Sequence, residues 1–172
     1  MVVRRYMPSD REAARVVHAE AFRRENDPHT LPPEVGLFEA LIDAADVIER
    51  LSFVAARDER VVGHVMCSRA TVGSHSVAAL GPIGVLPEHQ GQGVGIAMMH
   101  AALGAADALD IPLIVLLGST DYYSRFGFRL ALGLGITPHE PRWEDHFQAR
   151  TLTAYDSSIT GAFSYAPPFD DL

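Results

Sequence analysis

Residues 80–97 read LGPIGVLPEHQGQGVGIA and carry the strongest structural signal in the chain. The first part is an apolar run that ends at Leu86 and Pro87, a pattern typical of a strand, and the second part is a glycine-rich turn. Such a turn between a strand and a helix offers several free backbone N–H groups and the positive end of a helix dipole. The stretch therefore predicts an anion site suited to a diphosphate.

Three strands are predicted up to this turn. Residues 51–57, 61–72 and 77–85 are rich in β-branched and apolar side chains, and the breaks between them are short enough for hairpins. These strands predict an antiparallel meander.

A helix and a further strand are predicted after the turn. Residues 93–109 show helical spacing, and the predicted buried face consists of Val94, Ala97, Ala101, Ala105 and Ala108. Residues 113–117 form a continuous apolar run of the kind found in a strand covered on both faces. The order strand, helix, strand predicts a parallel crossover.

The N-terminal part predicts one strand and two helices. A strand at residues 2–6 precedes a capping-box pattern at residues 9–12, which opens a helix that buries Ala13, Val17 and Ala21. A proline-containing loop at residues 23–33 follows, and we expect it to border a substrate cleft. A second helix is predicted at residues 34–48.

The C-terminal part predicts shorter elements. A short helix at residues 121–126 leads to a strand that begins at Phe128. A loop at residues 133–145 contains two prolines, and residues 147–155 predict a strand that closes the sheet. A last edge strand is predicted near residues 163–165.

Composition limits the class of protein. The 172 residues suit one domain over residues 1–172, with the 48% hydrophobic and 21% charged residues of a globular chain. A net charge of −8 argues against nucleic acid as a partner. Cys67 is the only cysteine, no export signal opens the chain, and no apolar run reaches the about 18 residues of a membrane span. We therefore expect a cytoplasmic protein without a membrane partner.

Two common nucleotide motifs fail at the glycine turn. A dinucleotide fingerprint needs a third glycine where Ile96 stands. A P-loop needs a lysine, and all 14 basic residues of this chain are arginine. The pattern that remains is Gln-x-x-Gly-x-Gly, from Gln90 to Gly95, after an apolar strand.

This pattern resembles the acetyl-CoA motif of the GNAT superfamily of N-acetyltransferases. Residues 80–87 resemble the fourth strand of that family, and residues 122–128, YYSRFGF, resemble its Tyr-x-x-x-Gly-Phe element. The resemblance implies an α/β (α+β) fold with a mixed, mostly antiparallel central sheet, flanking helices and a splayed pair of parallel strands.

The resemblance also implies an acetyl-CoA site around the glycine turn. The diphosphate would lie on the N–H groups at the start of the helix, and the pantetheine arm would lie between the strands that end at Val85 and Leu117. Ser119 would contact pantetheine or cap a short helix, and Arg125 would contact a CoA phosphate or face solvent. The implied cofactor-binding residues are Ile83, Gly84, Val85, Gln90, Gly91, Gln92, Gly93, Val94, Gly95, Ile96, Ser119 and Arg125.

Two catalytic groups are implied by the same resemblance. The hydroxyl of Tyr123 would protonate or hydrogen-bond the leaving thiolate, and the backbone N–H of Val85 would stabilise the charge on the carbonyl oxygen. Tyr122 is adjacent, but the spacing to Gly127 and Phe128 selects Tyr123. Core packing is the alternative role for both rings.

The base that frees the amine is not assigned by the sequence. Some family members use a glutamate on the fourth strand, but residues 77–85 contain no carboxylate. Water, a backbone carbonyl or one of four side chains would then remove the proton, and these are His64, Asp121, His139 and Glu140. The eight histidines show no metal-ligand spacing, so no metal is expected.

The leading hypothesis is an acetyl-CoA-dependent N-acetyltransferase that transfers the acetyl group directly to a primary amine. The acceptor would be a small molecule or a peptide, and the acidic net charge favours a cationic small molecule. The alternative is a non-catalytic acyl-CoA-binding module. The missing strand carboxylate favours that alternative, whereas Tyr123 favours the enzyme. The protein would be a monomer or a homodimer.

Overall fold

A nine-stranded mixed sheet forms the centre of the described part of the chain, which is residues 1–27 and 29–169 of a computed structural model. The strands are β1 (Val2–Arg5), β2 (Phe53–Arg57), β3 (Arg60–Val72), β4 (His75–Val85), β5 (Leu113–Leu117), β6 (Arg129–Leu130), β7 (Ile136–Thr137), β8 (Phe147–Thr151) and β9 (Gly161–Tyr165). The α-helices are α1 (Arg11–Ala21), α2 (Pro33–Asp43), α3 (Val94–Ala108) and α4 (Thr120–Tyr123).

The strand order confirms the predicted fold class. The main path is β1-β2-β3-β4-β5-β8-β6, and β9 pairs with both β3 and β7. Antiparallel pairing of β2, β3 and β4 confirms the predicted meander. β4 and β5 are parallel and are connected through α3, as the crossover predicted.

β4 and β5 diverge after a short contact. Their parallel register consists of Ala78↔Ile114 and Ala79↔Val115. β4 nevertheless continues to Val85 and β5 to Leu117. A cleft therefore opens between the two strand ends.

Two glycines allow helices to approach both faces of the sheet beside this cleft. A Cβ at Gly63 would lie 2.8 Å from Cε of Met98 on α3, and a Cβ at Gly84 would lie 3.1 Å from Nδ1 of His18 on α1. Gly84 pairs with His64, the neighbour of Gly63, and successive residues of a strand point to opposite faces. α1 and α3 therefore cover opposite faces of the sheet.

The buried face of α3 differs from the predicted one. Of the residues predicted for that face, only Val94 is buried. Ala97, Ala101 and Ala105 are only half-buried, and Ala108 is exposed. The helix instead buries Met98, Met99, Ala102, Leu103 and Ala106. Methionine and leucine bury more apolar area than alanine, so they determine which side of the helix packs on the sheet.

α1 begins differently from the predicted capping box. A 3-10 turn over Pro8–Asp10 precedes it, and the Asp10 carboxylate accepts a hydrogen bond of 2.9 Å from the N–H of Met7. Hydrogen bonding from Arg4 is the main cause that holds the pKa of Asp10 below its ordinary value. The buried residues of α1 are Ala14, Val17 and His18, rather than Ala13, Val17 and Ala21.

Other predictions also differ from the structure: the strand predicted at residues 147–155 ends at Thr151, and the loop predicted at residues 133–145 contains β7. α2 ends at Asp43 rather than at residue 48, because Ala45 has a φ of 55° and this left-handed conformation cannot continue a helix. β9 was predicted as an edge strand, but β3 and β7 pair with it on its two sides. Residues 170–172 lie outside the described residues.

Candidate active site

A cavity of about 480 Å³ opens where β4 and β5 diverge. Every residue predicted to bind the cofactor or to act in catalysis lines this cavity, except Gln92 and Ser119. The lining residues are Ala21, Phe22, Ile83, Gly84, Val85, His89, Gln90, Gly91, Gly93, Val94, Gly95, Ile96, Tyr122, Tyr123 and Arg125.

The start of α3 presents backbone donors to this cavity. Gly91 and Gly93 have φ angles of 68° and 81°, in the left-handed region that favours glycine. The N–H of Ala97 donates to the C=O of Gly93 at 3.0 Å, which is the first hydrogen bond of the helix. The N–H groups ahead of that bond have no acceptor within the helix, and they belong to Val94, Gly95 and Ile96. These N–H groups lie where the sequence predicts the anion site.

The two glutamines of the motif hold the glycine turn in shape. The side-chain amide of Gln90 donates to the C=O of Val85 at 3.0 Å. The side-chain nitrogen of Gln92 donates to the C=O of Glu88 at 2.9 Å, and the side-chain oxygen of Gln92 accepts a hydrogen bond from Arg57 at 2.6 Å. Gln92 therefore ties the turn to β2 and lies outside the cavity lining.

The backbone of Val85 faces the cleft. Leu86 donates its N–H to the C=O of Val62 on β3 at 2.9 Å. Successive peptide groups of a strand point to opposite sides, so the N–H of Val85 points away from β3. Ile83 has the same orientation because it lies two residues earlier on the same strand.

The segment after β5, residues 119–127, is called the tyrosine turn here. It consists of α4 and a 3-10 turn over Ser124–Phe126. The C=O of Ser119 accepts hydrogen bonds from the N–H groups of Tyr122 and Tyr123 at 3.2 and 3.1 Å. The Ser119 side chain is exposed and makes no capping hydrogen bond in the structure described, so this residue starts the helix through its backbone.

Two tyrosine rings meet in the cavity. Their centroids lie 4.9 Å apart in an edge-to-face arrangement. Burial, followed by the influence of Tyr122, raises the pKa of Tyr123 to about 12, so its phenol stays protonated at neutral pH. Tyr122 lies over α3, because a Cβ at Gly95 would be 2.9 Å from its hydroxyl. The guanidinium carbon of Arg125 stacks 4.7 Å from the centre of the Tyr122 ring.

None of the four side chains considered as a base belongs to the lining of the described cavity. His64 is fully buried, and its Nδ1 lies 2.8 Å from Nε2 of His18. Asp121 and His139 are exposed, and Glu140 is half-buried in the loop before β8. The structure thus does not bring these candidates to the reacting groups.

Three lining residues outside the predicted motifs are Ala21, Phe22 and His89. His89 directly precedes Gln90, so extending the motif by one residue would have found it. Phe22 follows α1 and reaches the cavity because α1 packs closely on Gly84, and no local pattern announces that contact. The loop expected to border a cleft begins directly after Phe22.

Backbone donors and a few side chains supply the chemistry of the cavity. Among residues 1–27 and 29–169, no group of three or more His, Cys, Asp or Glu side chains is placed to hold a metal ion. No helix in that same part of the chain has the length and apolar character needed to cross a membrane. The polar groups at hand are the N–H groups of α3 and β4, two phenols, His89 and Arg125.

Comparison with known sequences identifies the family. Residues 14–128 match the Acetyltransferase (GNAT) family. The chain is 29% identical over 143 residues to the uncharacterized N-acetyltransferase YjhQ of Escherichia coli strain K12. This alignment covers 78% of this chain and 79% of YjhQ. The chain is also 31% identical over 125 residues to the uncharacterized N-acetyltransferase YhbS of the same strain. This alignment covers 70% of this chain and 74% of YhbS.

Solved structures share the fold over almost the whole chain. The crystal structure of YhbS from Escherichia coli in complex with CoA has a TM-score of 0.87 and 25% identity, and covers 98% of this chain and 91% of that one. The crystal structure of a GNAT family acetyltransferase from Brucella melitensis in complex with acetyl-CoA has a TM-score of 0.79 and 28% identity. The match covers 98% of this chain and 97% of that one. With the sequence match, these likenesses establish that the chain belongs to the GNAT family of acetyltransferases.

Proposed function

We propose that this acetyl-CoA-dependent acetyltransferase moves the acetyl group directly to a primary amine of a small, cationic acceptor. The observation that carries the proposal is one cavity lined by the first turn of α3, by Val85 and by Tyr123. The net charge of −8 supports a cationic acceptor. A single domain over residues 1–172 is part of the proposal, supported by strands from both ends of the chain in one sheet.

The donor side of the cavity fits the diphosphate and pantetheine parts of acetyl-CoA. The free N–H groups at the start of α3 and its dipole favour a diphosphate. The left-handed turns at Gly91 and Gly93 let the backbone approach phosphate oxygens closely. Ile83 and Val85 point backbone groups into the cleft, where amides of the pantetheine arm would hydrogen-bond them. Ser119, at the start of the tyrosine turn, remains a proposed contact of the pantetheine arm.

Two groups of the chain would act on the thioester that acetyl-CoA supplies. The N–H of Val85 would donate to the carbonyl oxygen as negative charge grows there during attack by the amine. The hydroxyl of Tyr123 would donate a proton or a hydrogen bond to the sulfur as the bond to carbon breaks. β4 carries no carboxylate, so we expect water in the open cavity to take the proton of the ammonium group.

Calorimetry and a thiol-release assay test this proposal. We expect the purified chain to bind acetyl-CoA and to release free CoA thiol when an amine from a panel of polyamines, amino sugars and amino acid amides is added. Binding without thiol release for every amine of the panel would support a non-catalytic acyl-CoA-binding module. Failure to bind acetyl-CoA at about 1 mM would contradict the proposed site.

Replacing Arg125 by glutamine tests the proposed phosphate contact. We expect the Kd of acetyl-CoA to rise about 5-fold at low ionic strength, because an exposed charge contributes modestly, and to rise less at high salt. The matched control is Arg129→Gln, an exposed arginine outside the lining. Equal effects of the two variants, or a loss that does not depend on salt, would assign Arg125 to the solvated surface.

A further inference from the structure

Gln148 holds the start of the tyrosine turn. It lies on β8, where it pairs with Leu116 of β5 and Leu130 of β6. Its side chain is 1% exposed, and its amide donates to the C=O of Gly118 at 3.0 Å. A buried amide without a partner would be costly, so this hydrogen bond is strongly favoured in the folded state. Gly118 is thereby fixed to β8.

Gly118 in turn contacts the ring of Tyr123. A Cβ at Gly118 would lie 2.4 Å from Cε2 of that ring. The N–H of Gly118 donates to the C=O of His146 at 3.0 Å. The residue that Gln148 fixes is therefore also the residue against which the Tyr123 ring rests.

Arg150 holds the other end of the same turn. Its guanidinium Nη1 donates to the C=O of Phe126, the last residue of the 3-10 turn. The same nitrogen would lie 3.1 Å from a Cβ at Gly127, whose φ is 80°. Glycine at residue 127 thus makes room for the guanidinium as well as permitting the bend. A cation is also favourable at the carbonyl end of a helical turn.

The two side chains brace one short segment from one strand. Gln148 and Arg150 are two residues apart on β8, so they extend from the same face of the strand. They hold the carbonyl groups of Gly118 and Phe126, and Tyr122 and Tyr123 lie between these two residues in the chain. A helix of four residues has too few hydrogen bonds to keep its shape alone, so contacts from the sheet must fix it.

We propose that Gln148 and Arg150 are positioning residues, which hold the tyrosine turn so that the Tyr123 hydroxyl points at the leaving sulfur. The inference rests on the proposed role of Tyr123. Displacing a catalytic group by about 1 Å costs up to about 100-fold in rate. Neither side chain lines the cavity, so both act through the turn rather than on acetyl-CoA.

The variants Gln148→Met and Arg150→Met test this proposal, because methionine matches the length of glutamine, replaces the aliphatic stem of arginine and removes the donors of both. We expect each to lower kcat about 10-fold while the KM for acetyl-CoA changes less than about 2-fold. Arg150→Lys, which keeps a cationic donor, should recover most of the kcat. Arg129→Met, on the neighbouring strand β6, is the matched control and should leave kcat unchanged.

Combining each variant with Tyr123→Phe separates positioning from general destabilisation. If the brace acts through the Tyr123 hydroxyl, Arg150→Met and Gln148→Met should lower kcat less than about 2-fold in the Tyr123→Phe background. Full additivity of the losses would overturn the proposal. An unchanged kcat in both single variants, when Tyr123→Phe alone loses activity, would also overturn the positioning proposal. That outcome would leave the proposed function in place. If Tyr123→Phe has no effect, the role of Tyr123 fails first.

Discussion

Tyr123→Phe is expected to lower kcat about 100-fold or more while the affinity for acetyl-CoA stays nearly the same. The change removes only the hydroxyl, and the ring keeps its contacts with Gly118 and with Phe128, whose centroid is 6.0 Å away. Burial raises the pKa of Tyr123 to about 12, above that of a thiol at about 8.5, so at neutral pH the phenol keeps its proton and can donate a hydrogen bond to the departing thiolate. Thiol release measures kcat, and calorimetry measures the affinity.

Tyr122→Phe is the control for this experiment. The two rings are adjacent and both line the cavity, but the hydroxyl of Tyr122 lies over Gly95 at the start of α3. We expect its loss to change the Kd of acetyl-CoA more than kcat. Unchanged turnover in Tyr123→Phe with a true acceptor, or a larger kcat loss in Tyr122→Phe, would remove the proposed role of Tyr123.

The second large effect is on stability at acid pH, and it comes from the buried pair His18 and His64. Both rings are fully buried, and desolvation lowers the pKa of His18 to about 4 and that of His64 well below its ordinary value. Tyr6 and Phe38 pack against the pair, and the carboxylate of Asp10 is the charged group whose influence reaches His64. The outer nitrogens, Nδ1 of His18 and Nε2 of His64, have no hydrogen-bond partner in the described structure.

The sign of the effect follows from which state binds more protons. Histidines of the unfolded chain take up protons as the pH falls through about 6.5. Folded His18 stays neutral until about pH 4, and the pKa of folded His64 is also well below its ordinary value, so the unfolded state binds more protons in that window. The stabilisation by the neutral pair is complete above pH 6.5 and is lost as the pH falls toward 4. We expect the free energy of unfolding to drop by about 3 kcal/mol from His18 alone.

Urea unfolding between pH 7 and pH 4.5 measures this dependence. The double variant His18→Leu, His64→Leu lacks both titrating rings, so its unfolding free energy should depend much less on pH in this window, whatever its absolute stability. His100→Gln, on the exposed side of α3, is the control and should keep the wild-type dependence. A wild-type stability that is flat over this range, or a double variant with an unchanged pH slope, would contradict the assignment.

Local patterns were sufficient for strands β2 to β5 and for the glycine turn of the cavity. The meander and the crossover follow from runs of apolar residues and from hairpin-sized breaks, which act over a few neighbouring residues. The glycine turn is also a local feature, because the left-handed conformations at Gly91 and Gly93 belong to those residues alone. Periodicity failed on α3, where Met98, Met99 and Leu103, together with two alanines other than the predicted ones, pack on the sheet.

The amino-acid sequence by itself therefore determined the strand order around the cleft, the position of the glycine turn at the start of α3 and the family. Only the tertiary structure decided which distant residues meet there. Phe22 reaches the cavity beside Gly84, His18 meets His64, and Gln148 and Arg150 reach the tyrosine turn, across separations of 24 to 62 residues. These contacts depend on strand register and on the side of each helix that is buried, which packing of the whole chain sets.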